Sequence, residues 1–364
     1  MAHHKHPPIK RRRLGKFAPV EFAFVGTTCA VIDGLLSDLY EALSPKFSVL
    51  TVTGDHQAKV SGQLSQSAEK TMQSPWNFSP LDDRLTGSLH QLALVNGNHY
   101  PADRQIVFID PAKAGTLERR REQLTSVAAV ILCGDDEQVP GWLQKDHPDL
   151  HEPWQLSTCR DGLLELMRTS ATSGLPKLKA LILSGGKSAR MGMDKGQLIY
   201  QNGETEVERL QRICEAQGLS TYLSVAASTG GANEIADRFM GLGPAGAMAS
   251  AFLVDPDAAW LVLACDLPLV DEGLIQRLLD ERKPNQLATA VRGASKPFPE
   301  PLIAIYEPPA YARLLQFLSI GYACPRKVLI NSDVYEVVLE NESALTNANT
   351  PEERERVLDL LNER

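Results

Sequence analysis

The segment Leu181-Ile-Leu-Ser-Gly-Gly-Lys-Ser-Ala-Arg-Met-Gly-Met-Asp-Lys195 constrains the fold of this chain more than any other part of it. It joins a strand to a glycine turn and then to fixed cations. Ala180 to Leu183 form an apolar run of the kind that fills a parallel sheet. Gly185 and Gly186 then let the backbone turn sharply and bring bare N–H groups against an anion. Ser184 and Ser188 add hydroxyl donors, while Arg190 and Lys195 place a forked and a point positive charge beside the loop, which suits the oxygens of a triphosphate. Asp194 is expected to hold the loop's shape. A Gly-Gly pair after a strand is on its own only a turn. The full string is neither a Walker A loop, since no Gly-Lys-Ser/Thr ends it, nor the Gly-x-Gly-x-x-Gly dinucleotide fingerprint.

Instead it resembles the Gly-Gly-x-Ser-x-Arg-Met-Gly-x-Asp-Lys signature of the molybdenum cofactor guanylyltransferase (MobA-like) family. Trp260-Leu-Val-Leu-Ala-Cys-Asp-Leu-Pro-Leu269 reads as a second buried strand delivering one carboxylate, Asp266, at its C-terminal end, the edge at which open parallel sheets bind ligands. Magnesium takes one or two carboxylates plus substrate phosphate oxygens, so a single aspartate is chemically sufficient. A helix or turn cap is the other reading of that residue. The resemblance favours the metal, because Cys-Asp-x-Pro is where this family holds it.

Weaker segments follow in the family's order. Asp237 and Gly243-Pro-Ala-Gly246 resemble the aspartate and turn that flank the guanosine. Glu300-Pro-Leu-Ile-Ala-Ile-Tyr306 resembles a late strand beside the acceptor pocket, and Gly321-Tyr-Ala-Cys-Pro-Arg-Lys327 a loop that presents basic residues to the pterin phosphate. In Asn347-Ala-Asn-Thr-Pro-Glu-Glu353, Thr350 as N-cap, Pro351 at the first helical position and Glu353 three residues after the cap make a capping box. The family has this string beside its active site. The resemblance thus assigns Leu183, Ser184, Gly185, Gly186, Ser188, Arg190, Lys195, Asp237, Gly243 and Asp266 to the nucleotide, with Arg190, Lys195 and Asp266 catalytic and Asp266 on Mg2+. Arg326, Lys327, Asn347 and Asn349 fall to the acceptor.

It covers residues 177 to 364. Thr221 to Ser228 lacks the asparagine that well-known members place near the base, and Ser184 replaces their usual alanine. The paired glycines favour guanine over cytosine as a family tendency. The reaction implied is attack by the terminal phosphate of molybdopterin on the α-phosphorus of GTP, with release of pyrophosphate. Cytidylyl transfer, a sugar phosphate acceptor, and a non-catalytic binding or regulatory role remain as alternatives.

The chain has 364 residues, 43% hydrophobic and 23% charged, which suits two α/β domains. The second is expected to be a Rossmann-like three-layer nucleotidyltransferase. A net charge of −8 argues against nucleic acid as a partner. The basic run Lys10 to Arg13 reads as part of a disordered solvated tail over 1–16, and His3, His4 and His6 receive no function. No segment approaches the roughly 18 apolar residues of a membrane span. Pro19 and Glu21 interrupt the first apolar stretch, against a signal peptide, so a cytoplasmic enzyme is expected. Six scattered cysteines lack Cys-x-x-Cys spacing and read as reduced core thiols, with Cys265 packing away from the face of Asp266. Beyond its substrates, the resemblance suggests molybdoenzymes or cofactor-insertion proteins as partners.

The small polar residues of 169–177 predict a linker, closing a first domain over 17–168 that ends in an amphipathic helix from Trp154 to Met167. Before it, strands at Phe22–Val25, Ser48–Val52, Leu92–Val95, Ile106–Ile109 and Ala128–Leu132 and helices at Val31–Leu43 and Leu117–Leu124 give an α/β pattern. Their order resembles the P-loop GTPase (MobB-like) partner of the same pathway. Phe24-Val-Gly-Thr-Thr-Cys-Ala-Val-Ile-Asp33 lacks the phosphate loop's lysine and most of its glycines, and Leu94-Val-Asn-Gly-Asn-His99 carries asparagine in place of the acid. The expectation is a degenerate P-loop domain, a scaffold or a binding surface for molybdopterin or a partner enzyme.

Overall fold

The computed structural model describes residues 9–54, 63–65, 71–73, 80–184, 195–200, 203–348 and 350–362. The chain divides into two compact units: residues 13–175, and residues 176–364 together with the segment up to Arg12.

The unit of residues 13–175 runs β1 (Val20–Val25), α1 (Cys29–Leu43), β2 (Val49–Val52), β3 (Gln63–Ser65), β4 (Thr71–Gln73), α2 (Pro80–Gly87), β5 (Leu92–Asn96), β6 (Arg104–Ile109), α3 (Ala114–Arg119), β7 (Val127–Leu132), α4 (Gly141–Asp146), β8 (Trp154–Gln155) and α5 (Cys159–Ser173). A parallel sheet of order β2-β5-β1-β6-β7-β8 forms its middle, and β3 and β4 pair separately as antiparallel strands. All six residues of β1 are buried, as strands covered on both faces require. Glu21 is among them. Its carboxylate accepts from the backbone N–H groups of Lys16, Phe17, Ala18 and Asp103, so a charge buried in a strand is satisfied by the chain entering it.

Two expected elements differ here. Trp154 belongs to an edge strand, and the closing helix starts at Cys159 and continues to Ser173. Thr169 to Ser173 of the expected linker lie in this helix, where Ser170 and Ala171 are buried and Arg104 donates to the Ser170 hydroxyl at 2.9 Å. The helix expected at Leu117–Leu124 is instead α3 followed by a 3₁₀ turn at Arg121–Gln123.

The unit of residues 176–364 runs β9 (Leu178–Leu183), α6 (Glu206–Ala216), β10 (Ser220–Val225), β11 (Glu234–Ala236), α7 (Gly243–Val254), β12 (Ala259–Ala264), α8 (Glu272–Asp280), β13 (Ala288–Gly293), β14 (Ile303–Tyr306), α9 (Pro309–Ser319), α10 (Pro325–Ile330), β15 (Val334–Leu339) and α11 (Pro351–Asn362). The sheet order is β11-β10-β9-β12-β14-β13-β15, parallel except where β14 runs against β12 and β13. Two apolar layers cover its faces. One gathers α6 and α8 residues such as Leu210, Ile213, Ile275 and Leu278; the other gathers Met248 and Phe252 of α7 with Leu314 and Phe317 of α9. Trp260 of β12 is 1% exposed, a burial worth on the order of 2–3 kcal/mol.

The basic run before residue 13 is held by contacts rather than solvated along its length. Lys10 pairs with Asp255, which also accepts from Lys179 at 2.7 Å, and burial brings the Arg12 guanidinium down to about 10 against the pull of Asp257. No helix among the described residues is long and apolar enough to cross a membrane. Of the cysteines, Cys159, Cys214 and Cys265 are buried, but Cys29 and Cys133 are half-buried and Cys324 is exposed, so the core role expected of all six holds for three.

Candidate functional site

β9 lies between β10 and β12, and the chain leaves β9 toward β10 and β11 before returning on its other side as β12. Such a reversal of strand order opens a crevice at the carboxyl ends of the two strands. Leu183 at the end of β9 stands in register with Ala264 at the end of β12. Neighbouring strands lie about 4.8 Å apart, so Ser184 and the turn holding Cys265 and Asp266 emerge side by side. The Ser184 hydroxyl donates to the Ser224 carbonyl at 2.8 Å, which ties the first residue past β9 to β10. Gly185, Gly186, Ser188, Arg190 and Asp194 lie outside the described residues, as does the side chain of Lys195, whose backbone opens a 3₁₀ turn at Lys195–Gln197.

Asp266 is half-buried, and Cys265 beside it is buried in the core; both lie in the turn past the end of β12. The Asp266 carbonyl accepts from the N–H of Ala348 at 2.9 Å. This bond brings the Asn347 stretch against the carboxylate's own turn, with Asn347 exposed; Asn349 lies outside the described residues. The stretch then enters α11 through the expected capping box: Glu353 N donates to Thr350 Oγ1 and Thr350 N to Glu353 Oε2, each at 3.2 Å.

Asp237 follows β11, and its Oδ1 accepts from Phe239 N at 2.8 Å and from the Ser250 hydroxyl at 3.1 Å. Ser250, fully buried on α7, also accepts from Arg238 N at 2.8 Å. The carboxylate is therefore engaged in joining the 237–243 loop to α7. Gly243 opens α7 at φ +57°, a conformation that favours glycine, and Gly246 is required by a close approach, since a Cβ there would stand 2.3 Å from the Phe239 carbonyl oxygen.

Arg326 and Lys327 sit in the first turn of α10 rather than in the loop before it, because Pro325 starts the helix. Arg326 donates to Glu300 at 3.0 Å, and Lys327 rests 4.0 Å above the centre of the Tyr322 ring. Burial raises the Glu300 carboxyl; Arg326 opposes this, and the nearby charge of Asp266 adds to it. The Ala264 N–H donates to the Leu302 carbonyl at 3.2 Å where β12 and β14 run antiparallel, so the entry to β14 that holds Glu300, with its partner Arg326, lies at the end of β12 from which Asp266 emerges. Tyr200, also within electrostatic reach of Asp266, is pushed up to about 12, chiefly by burial and then by Glu206. Sequence reasoning placed the segment opening at Glu300 beside the acceptor pocket without giving the carboxylate a partner, and assigned no role to Tyr200 or Ser250. A glutamate at the mouth of an apolar strand was the available signal for Glu300; the other two carry none.

Among the described residues no group of three or more His, Cys, Asp or Glu side chains could hold a metal ion. One half-buried carboxylate in the turn past β12 is nonetheless compatible with magnesium, which keeps water and phosphate oxygens as most of its ligands.

In the unit of residues 13–175, β1 likewise lies between β5 and β6. A cavity of about 420 Å³ opens at this edge, lined by Gly26, Thr28, Cys29, Asn98, His99, Lys113 and Arg120 among others. The segment from Phe24 to Asp33 folds as strand, turn and helix, with Thr28 capping α1. Thr27 donates to Asp110 at 2.7 Å, and buried Asn96 donates to Asp33 of α1 at 2.8 Å, so the asparagine standing for an acid serves packing.

Residues 180–333 match the family model described as MobA-like NTP transferase domain. A molybdenum cofactor guanylyltransferase of Pseudomonas putida is 30% identical over 186 residues, covering 49% of this chain and 96% of that protein. A molybdenum cofactor biosynthesis bifunctional protein of Synechocystis is 31% identical over 196 residues, covering 52% of this chain. The match spans 56% of that bifunctional relative's length. Among solved structures, molybdopterin-guanine dinucleotide biosynthesis protein A from Archaeoglobus fulgidus aligns with a TM-score of 0.44 at 21% identity, covering 51% of this chain and 100% of that one.

Proposed function

Because this chain belongs to the molybdenum cofactor guanylyltransferase family, we propose that residues 176–364 transfer GMP from GTP to the terminal phosphate of molybdopterin and release pyrophosphate. The observation that carries this is the pairing of β9 with β12, which sets the Ser184 turn and Asp266 side by side at the sheet's switch point. A phosphate monoester is already anionic at neutral pH, so the attack needs no protein base. Catalysis then consists of alignment and charge neutralisation.

In this reading the backbone of Ser184, Gly185 and Gly186 cradles the triphosphate, with Leu183 and Ser188 at its border. Arg190 and Lys195 neutralise the α-phosphate and the departing pyrophosphate. Asp266 would hold Mg2+, which supplies positive charge to the phosphate oxygens when bound. Asp237 and Gly243 frame the nucleoside through the loop onto α7, and Arg326, Lys327, Asn347 and Asn349 face the acceptor. Residues 13–175 are read as a degenerate P-loop-like unit, a scaffold or a binding surface for molybdopterin or a partner enzyme, in which Asn96 is tied to Asp33.

Purified chain, molybdopterin and magnesium with α-labelled GTP or CTP test the reaction, with Asp266→Ala as control. Label transfer from GTP with pyrophosphate release, lost in the variant, is expected. Transfer from CTP alone moves the assignment to cytidylyl chemistry, and transfer from neither leaves another acceptor or a binding role.

A further inference from the structure

Glu300 stands where the chain enters β14. Its Oε2 accepts from Arg326 Nη2 at 3.0 Å and its Oε1 from Leu302 N at 3.3 Å, while its own N–H donates to the Val291 carbonyl of β13 at 2.7 Å. The turn behind it is propped by the buried Tyr306 hydroxyl, which donates to the Pro301 carbonyl at 2.9 Å. Glu300 is thus a carboxylate fixed to the sheet. Its side chain is 20% exposed, against 49% for Arg326.

Arg326 is the more exposed half of this pair. An arginine in the first turn of a short surface helix has many rotamers, and fixing them on ligand binding costs conformational entropy. Among the described residues Glu300 is its one hydrogen-bond partner, and the contact uses one of five N–H donors. The rest of the fork is left for an incoming anion.

We propose that Glu300 is a positioning residue, which aims the Arg326 guanidinium along the Asp266 edge so that its remaining N–H groups meet the phosphate monoester of the acceptor. The inference rests on the guanylyltransferase reading of residues 176–364. It gives the acceptor side of the site a built part: a sheet-anchored carboxylate, an arginine held at one point, and a phosphate that completes the fork.

A double-mutant cycle on the full chain tests it, using Glu300→Ala, Arg326→Ala and the pair, with Glu300→Gln as a variant that keeps the acceptor oxygen. Two readouts are needed: steady-state KM for molybdopterin and for GTP, and equilibrium binding of molybdopterin followed by its pterin fluorescence. Glu300→Ala should raise the acceptor KM and Kd about five- to tenfold, the scale of one lost pre-ordering, and leave the GTP KM unchanged. Arg326→Ala should raise them at least as far, the double variant no further than Arg326→Ala alone, and Glu300→Gln should recover part of the loss. Additive effects, an unchanged acceptor constant in Glu300→Ala, or a parallel rise in the GTP KM would each overturn the role. Wild-type chain that binds molybdopterin without transferring GMP defeats the guanylyltransferase reading alone, since the binding cycle still decides for or against Glu300; wild-type chain that does not bind it defeats both.

Discussion

Replacing Ser250 with alanine removes one oxygen from a helix face that solvent does not reach, and it separates a residue that shapes the nucleoside loop from one that touches nucleotide. The hydroxyl oxygen accepts from Arg238 N at 2.8 Å, and its single proton is offered to Gly246 O at 2.8 Å or to Asp237 Oδ1 at 3.1 Å. Alanine fills the same space but for that atom, so the cost is one of unsatisfied polar groups rather than a cavity. Leaving the Arg238 N–H unpaired and removing one partner of Asp237 costs about 1–3 kcal/mol, which for a domain of this size is roughly 2–4 °C in melting temperature per kcal/mol. Asp237→Asn is the complementary change. An amide oxygen still accepts from Phe239 N and Ser250, and only the charge is lost. If Asp237 acts as the loop's clamp, Asp237→Asn keeps the GTP KM within about twofold, whereas Ser250→Ala lowers the urea midpoint and raises that KM. The reasoning fails if Asp237→Asn raises the GTP KM by about tenfold at unchanged stability, since the carboxylate would then be meeting the nucleotide directly.

Three further outcomes follow from the packing of the same unit. Arg282 makes a two-point pair with Glu307, which is 1% exposed, through bonds of 2.7 and 2.9 Å, so Arg282→Ala should cost about 3–5 kcal/mol in urea denaturation; a loss under 1 kcal/mol would mean that water reaches the carboxylate. Burial raises the Glu206 carboxyl despite its pairing with Arg209. A raised folded value contributes stability below the unfolded pKa that is lost as pH rises through the folded one, so Glu206→Gln should compare better with wild type at pH 8 than at pH 4; a difference of the opposite sign in pH-dependent melts would contradict the shift. The buried Tyr200 hydroxyl has no hydrogen-bond partner among the described residues, so Tyr200→Phe should be neutral or stabilising by up to about 1–3 kcal/mol, and clear destabilisation by calorimetry would show that the hydroxyl is satisfied.

Much of the architecture was legible because buried parallel strands write themselves as short apolar runs. Val20–Val25, Leu92–Asn96, Leu178–Leu183 and Ala259–Ala264 all lie within or close to such runs. The helix after Gln155 was misplaced because small residues have two meanings: Ser170 and Ala171 look like linker composition, yet they let a helix pack closely. Glu21 read as a break in an apolar stretch for a similar reason, since four backbone donors that satisfy it come from the turn before it and from Asp103. For the candidate site, the family resemblance singled out Asp266 and the Asn347 stretch, and a backbone hydrogen bond brings these two distant segments together. The partner of Glu300 and the place of Ser250 could not be read from sequence, because both depend on groups brought in by the fold, Arg326 for one and the Asp237 loop for the other.

The hydrogen bond from Ala348 to the Asp266 carbonyl also ties the end of the chain to the turn of Asp266. Domains generally fold as units, so the unit of residues 176–364 is complete only when its last elements have been made. A chain cut short before Ala348 would still carry all the strands of its sheet, the last of which ends at Leu339, yet would lack this backbone bond and the cap of α11 at Thr350. Damage near the end of the chain would therefore be felt at the turn of Asp266, far from it in sequence, while the strands themselves stayed intact.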